Sequence, residues 1–185
     1  MIFKETELAG ACLIELEELH DDRGFFARSW CQREFESHGL NPRVVQCNVS
    51  FSARKGTLRG LHYQSPPREE AKLVRCTAGS IYDVIVDLRP ASPSFKRHLG
   101  VILTATEHNM LYVPEGFAHG FQTLEDNTEV FYQMSEFYVA EASRGLRWND
   151  PAFAIQWPSP PTVISERDQN HPDFATWCGL CPSAV

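Results

Sequence analysis

The sequence predicts a mainly β protein, a jelly-roll barrel with short N- and C-terminal helical additions. Between Arg43 and Phe137 the chain is a series of short runs rich in Val, Ile, Leu, Phe and Tyr. Gly, Pro, Asn or charged clusters interrupt these runs about every ten residues, the signature of an antiparallel sandwich or barrel. Helical signals are confined to two short stretches outside that region.

Taken in order, the first helix is expected from Trp30 to His38, with Gly39 as its stop. The strands follow as RVVQCNVSF from Arg43, TLRGLHYQ from Thr57, AKLVRCTA from Ala71 and SIYDVIVDL from Ser80. HLGVIL from His98, MLYVP from Met110, AHGFQTL from Ala118 and TEVFYQMSEFY from Thr128 complete the series. Pro158, Pro160 and Pro161 mark the chain leaving the barrel, and Ser165 to Asn170, ahead of Pro172, is expected to form a short turn of helix.

The 185 residues suit one domain, residues 1–185, and no repeat or low-complexity tract marks a linker. No apolar run approaches the ~18 residues of a membrane span. Glu5 and Glu7 interrupt the N-terminal stretch where a signal peptide needs a basic start and an apolar run, so a cytoplasmic location is expected. The six cysteines are scattered through apolar stretches, as buried reduced thiols would be, and Cys178-Gly-Leu-Cys181 reads as an incidental pair rather than a metal or redox centre. A net charge of −7 argues against nucleic-acid binding, so an anionic ligand must be held by a local basic cluster.

In TLRGLHYQ, period-two alternation places Leu58, Gly60, His62 and Gln64 on one face and Arg59, Leu61 and Tyr63 on the other. His62 should look into the barrel. A bulge at Gly60 would turn Arg59 toward the same cavity; the plainer reading is a core histidine beside a surface arginine. In TEVFYQMSEFY a regular strand gives Tyr132 and Tyr138 the same side. Asp83 interrupts an apolar strand and needs a partner if it faces inward, for which His119 is the candidate. Small metal-binding barrels often carry an H-x-H pair and a later P-x-G-x-x-H segment. Here Pro114 to His119 supplies the second, but the first reads His62-Tyr63-Gln64, and an amide is a poor transition-metal ligand. No metal is expected.

Seven segments together resemble the dTDP-4-dehydrorhamnose 3,5-epimerase family, from about Ile2 to Phe174. They are Asp22-Arg23-Gly24-Phe25-Phe26, Gln46 to Ser50, Arg59 to Gln64, Lys72 to Arg75, Pro114 to Phe121, Arg144 to Trp148, and Ser165-Glu166-Arg167-Asp168. The resemblance implies a homodimeric cupin-type barrel without metal or organic cofactor, whose N-terminal segment, with Arg23 and Phe26, completes the partner's site. It also implies a nucleotide-diphosphate sugar with a ketone at C4, which acidifies the C–H bonds at C3 and C5.

In the family pattern His62 is the base, a role for which histidine is suited as a residue type. Asp168 orients it, Lys72 stands beside the enolate oxygen, and Tyr132 is the acid on the opposite face. Arg23, Arg59, Gln46 and Asn48 would bind diphosphate and sugar, as would Arg167 in the last segment, and Tyr138 would stack on the base. His119, paired with Asp83, either holds a sugar hydroxyl or braces the pocket. Arg28 and Ser143 depart from the family pattern, which usually has glutamate at both positions, associated with the nucleotide end. The nucleotide is therefore open among dTDP, CDP, GDP and UDP, as is inversion at C3, C5 or both. A catalytically inactive sugar-binding module and a metal-dependent oxygenase are the competing classes.

Overall fold

The computed structural model describes residues 1–177. Cys178 and Cys181 lie outside the described residues. The strands are β1 Ile2–Glu5, β2 Cys12–Glu15, β3 Leu19–Asp21, β4 Gly24–Phe26, β5 Gln46–Ser52, β6 Thr57–Gln64, β7 Lys72–Ala78 and β8 Ser80–Asp87. They continue as β9 His98–Thr104, β10 Met110–Val113, β11 Phe117–Thr123, β12 Thr128–Met134, β13 Ser143–Gly145 and β14 Val163–Ile164. The helices are α1 Gln32–Ser37, α2 Glu166–Gln169 and α3 Phe174–Trp177. None is long and apolar enough to cross a membrane.

Two sheets face one another as a cupin-type jelly roll. One has the order β1-β2-β10-β7-β12-β5, the other β13-β6-β11-β8-β9 with β14 joining β6 in parallel; β3 and β4 form a separate hairpin. Each strand alternates between the two sides of its sheet. On β8, Ile81, Asp83 and Ile85 point between the sheets while Tyr82, Val84 and Val86 point outward. Between the sheets Val74, Cys76, Ile81, Ile85, Leu103, Leu111, Val113, Phe117, Phe121 and Val130 form the main core. Leu61, Tyr63, Val84 and Val86, on the outer face of the second sheet, are covered by Leu146, Phe153 and Phe174 from the C-terminal segment. On the outer face of the first sheet Ile14, Leu73 and Met110 are covered by Phe35 of α1. Burial of these apolar faces is the main stabilising term. Because the apolar core fills only part of the inter-sheet space, the remainder is free to form a polar cavity.

The expected strands are all present, several trimmed by one to three residues at an end. The C-terminal one differs more: β12 ends at Met134, so Tyr138 is not on the strand. Beyond Met134 the backbone donors turn to side chains, Tyr138 N–H donating to Gln46 Oε1 and Val139 N–H to Gln64 Oε1. The first helix is shorter than expected and ends as Gly39 adopts φ +70°. Four short N-terminal strands, β13, β14 and α3 lacked a sequence signal.

Candidate active site

The site begins with an irregularity in β6. Between β6 and β11 the pairing passes from His62 opposite His119 to Arg59 opposite Phe121, so β6 advances three residues while β11 advances two. This is the expected bulge. Gly60 sits within it at φ +122°, and a Cβ there would lie 2.5 Å from Gly120 Cα, so only glycine fits. The bulge places Arg59 in the cavity wall, braced by Ser52 Oγ at 3.2 Å and the Phe51 carbonyl at 3.0 Å. It also frees the Gly60 N–H, which donates to Asp168 Oδ2 at 3.1 Å.

Asp168 is delivered by α2, whose N-cap Ser165 accepts the Asp168 N–H. Burial alone would raise the pKa of this carboxyl. The hydrogen bond and charge of His62, the Gly60 N–H and the charge of His171 outweigh that and hold it below the ordinary range. Asp168 is therefore an acceptor. His62 Nε2, 2.7 Å from Asp168 Oδ1, must carry the proton of that bond. Nδ1 is left with its lone pair, on a ring whose side chain is 40% exposed to the cavity.

The facing wall belongs to the other sheet. Tyr132 and Met134 on β12, Lys72 on β7, and Gln46, Asn48 and Ser50 on β5 line the same cavity of about 380 Å³. Burial pushes the Tyr132 phenol above its ordinary pKa; the charge of Arg59 opposes this and that of Glu70 adds to it. Tyr132 thus holds its proton at neutral pH. Lys72 Nζ is buried 3.0 Å from Glu70 Oε1 and 3.5 Å from the His62 carbonyl.

Most of the remaining predicted residues converge on this cavity. His119 Nε2 pairs with Asp83 Oδ1 at 2.7 Å, with Asp83 fully buried. Tyr138 and Arg167 stand in the cavity lining, and Arg167 donates to Ser143 Oγ at 2.9 Å. Gln46 donates to Asn48 Oδ1 at 3.1 Å and holds the Tyr138 backbone through its own oxygen. Gln64 is committed to the loop, its amide donating to the Arg68 and Phe137 carbonyls. Its oxygen accepts the Val139 N–H.

Arg23 and Phe26 do not reach this cavity. They lie on the β3–β4 hairpin, Phe26 72% exposed and Arg23 paired with neighbouring Asp21. Arg28 pairs with Glu34 of α1.

Two residues escaped sequence reasoning. Glu70 partners Lys72, and the spacing of two in an extended chain, which puts both on one side, was the available signal. His171 Nε2 lies 3.5 Å from Asp168 Oδ1, and its signal was the spacing of three around a helical turn.

An imidazole fixed by a carboxylate on one wall and a protonated phenol on the other can remove a proton from one face of a carbon and supply one to the opposite face. A buried ammonium between them can stabilise the anion that forms. That pairing in a cupin barrel suits an isomerase of carbon acids. Comparison with known proteins narrows the class. The profile of the dTDP-4-dehydrorhamnose 3,5-epimerase family matches residues 5–176, and the chain belongs to that family. It is 42% identical over 171 residues to the dTDP-4-dehydrorhamnose 3,5-epimerase of Shigella flexneri, covering 92% of this chain and 94% of that one. The crystal structure of the Elizabethkingia anophelis enzyme of the same name superposes with a TM-score of 0.92 at 38% identity, covering 95% and 97% of the two chains. That of Bacillus anthracis, with TDP and PPi bound, gives 0.90 at 45% identity, covering 94% and 99%.

Proposed function

We propose that the protein epimerises a nucleotide-diphosphate 4-keto-6-deoxy sugar at C3 and C5, of the dTDP-4-dehydro-6-deoxyglucose to dTDP-4-dehydrorhamnose type. The observation that carries this is the bond from His62 Nε2 to Asp168 Oδ1, which leaves Nδ1 as a base facing Tyr132 across the cavity. His62 takes the proton from the carbon beside the ketone, and Asp168 stabilises the imidazolium. Lys72 meets the enolate oxygen as a preorganised charge worth ~3 kcal/mol of barrier. Tyr132 then gives its proton to the opposite face and is recharged from solvent. Both walls come from packed strands, so the groups need little reorganisation on reaction.

Arg59, Arg167, Gln46 and Asn48 bind diphosphate and sugar at the cavity mouth, Tyr138 stacks on the base, and His119 is held in place by Asp83. The working unit is a homodimer in which the β3–β4 hairpin brings Arg23 and Phe26 to the partner's cavity. Supporting this, Leu19, Phe25 and Phe26 are exposed on the hairpin, and edge strand β5 presents Val49 and Phe51 outward. Free thiols at Cys12, Cys31, Cys47 and Cys76 suit a reducing cytoplasm. Residues 1–185 act as one domain, without metal or organic cofactor.

The test is proton NMR in heavy water with the 4-keto-6-deoxyglucose nucleotide, offered on dTDP and then on CDP. Loss of the C3 and C5 proton signals on the dTDP substrate is expected. Loss at one carbon alone would make the protein a single-site epimerase, and no exchange on either nucleotide would overturn the reading.

A further inference from the structure

The catalytic carboxylate has more neighbours than the proposed chemistry uses. His62, Asp168 and His171 each offer one ligand atom within 4.8 Å of the others, and Asp168 Oδ1 lies 2.7 Å from His62 Nε2 and 3.5 Å from His171 Nε2. His171 Nε2 is buried and, apart from the Asp168 oxygen at 3.5 Å, has no hydrogen-bond partner among the described residues. Its ring occupies space that Gly145 leaves open, since a Cβ at Gly145 would fall 2.2 Å from His171 Nε2. The side chains of Asp168 and His171 are 6% and 11% exposed, and that of His62, whose Nε2 is turned to Asp168, is 40% exposed.

Two imidazoles and a carboxylate, with water as a fourth ligand, are a donor set for a borderline divalent cation such as zinc. Tetrahedral zinc with bonds of about 2.0–2.1 Å sets its ligand atoms ~3.3 Å apart. The His171–Asp168 separation of 3.5 Å is already near that value, and the His62–Asp168 separation of 2.7 Å has to open only slightly.

We propose that His62, Asp168 and His171 form a zinc-binding site whose occupancy reversibly switches off the base. The chemistry is a change of tautomer. Zinc takes the Nε2 lone pair of His62, so the single proton of the neutral ring moves from Nε2 to Nδ1. Nδ1, the acceptor in the free protein, becomes an N–H donor and cannot take a proton from carbon. Water fills the fourth position, and a chelator reverses the change. Binding at the site stands on the geometry alone; the loss of turnover rests on the proposed role of His62.

The experiment is titration of the full chain with Co²⁺ as a spectroscopic probe, beside Zn²⁺ calorimetry. It uses the wild type and a Cys178→Ser/Cys181→Ser variant, so that thiolate ligation is separated. One ion per chain is expected, with visible d–d bands and no sulfur-to-cobalt charge transfer in the serine variant. His171→Asn should weaken binding at least tenfold. Nitrogen-15 spectra of the wild-type imidazoles give a readout independent of whether that variant folds: Nε2 of His62 and of His171 should shift with zinc while His119 stays still. Binding only through thiolates, binding indifferent to His171→Asn, or unmoved His62 and His171 resonances would overturn the site. Zinc bound at these residues with turnover intact would overturn the switch.

Discussion

Replacing Asp168 with asparagine changes almost no volume but inverts the hydrogen-bond logic around His62. The carboxylate accepts two bonds, from His62 Nε2 at 2.7 Å and from the Gly60 N–H at 3.1 Å. An amide has one oxygen and one NH₂, so it can accept only one of them. The Gly60 N–H is a fixed backbone donor in a bulge that packs on Gly120, whereas the imidazole can change tautomer. The asparagine oxygen therefore goes to Gly60 and its NH₂ to His62 Nε2. That forces the ring proton onto Nδ1, so the group facing the substrate is a donor and not a base. The variant also loses a charge-assisted bond to the developing imidazolium, worth about 1.5–3 kcal/mol. Together with the wrong tautomer, this predicts a loss in kcat of the order of 10³–10⁴, as seen when a catalytic aspartate beside histidine is made an amide in serine proteases. KM should change by less than roughly threefold, since the carboxylate does not face the substrate. Steady-state turnover of the 4-keto sugar nucleotide measures both. A variant retaining more than about a tenth of wild-type kcat would refute the tautomer argument.

Three further outcomes follow from specific contacts. Gly60→Ala places a side chain at φ +122° and 2.5 Å from Gly120 Cα, so urea unfolding should show a loss of at least ~2 kcal/mol; an unchanged midpoint would contradict the bulge. Ser143→Glu sets a carboxylate against Arg167, now bonded to a neutral hydroxyl at 2.9 Å. Diverting that charge from the diphosphate should raise KM roughly fivefold, about 1 kcal/mol, with kcat nearly unchanged. A fall in kcat alone would show that Arg167 serves another role. Asp87 is fully buried, which alone would raise its pKa, yet hydrogen bonds from Arg89, Ser92 and Ser94 bring it down to about 2. Because the folded value lies below the unfolded one, its contribution of about 2 kcal/mol is complete above about pH 4 and fades as pH falls toward about 2. In urea titrations the stability gap between wild type and Asp87→Asn should close over that range, and a pH-independent gap would contradict the account.

The strand series was legible because most barrel strands carry a clean alternation. In β6, His62 faces inward while Leu61 and Tyr63 face the outer core, as the parity required. The Gly60 bulge was legible for the same reason, as a glycine where a side chain should stand in an alternating run. Tyr138 was misplaced because parity was extended past Met134, where Gln46 and Gln64 side chains capture the backbone and end the ladder. Single-sequence patterns carry no signal for such long-range side-chain-to-backbone bonds. The His62–Asp168 contact spans 106 residues and was reachable only through family resemblance. Glu70 and His171 stand two and three residues from their partners, a local spacing that was their one available signal. Arg23 and Phe26 remain apart from the cavity within one chain, as they would if their place is set by a second copy.

The central claim is that two groups on opposite walls handle two protons, His62 removing one and Tyr132 returning the other. Tyr132→Phe in heavy water, with the C3 and C5 proton signals followed by NMR, tests it most directly. The account predicts that deuterium still enters through His62, with the sugar keeping its starting configuration because the opposite face lacks an acid. Inversion at the wild-type rate in this variant would contradict it.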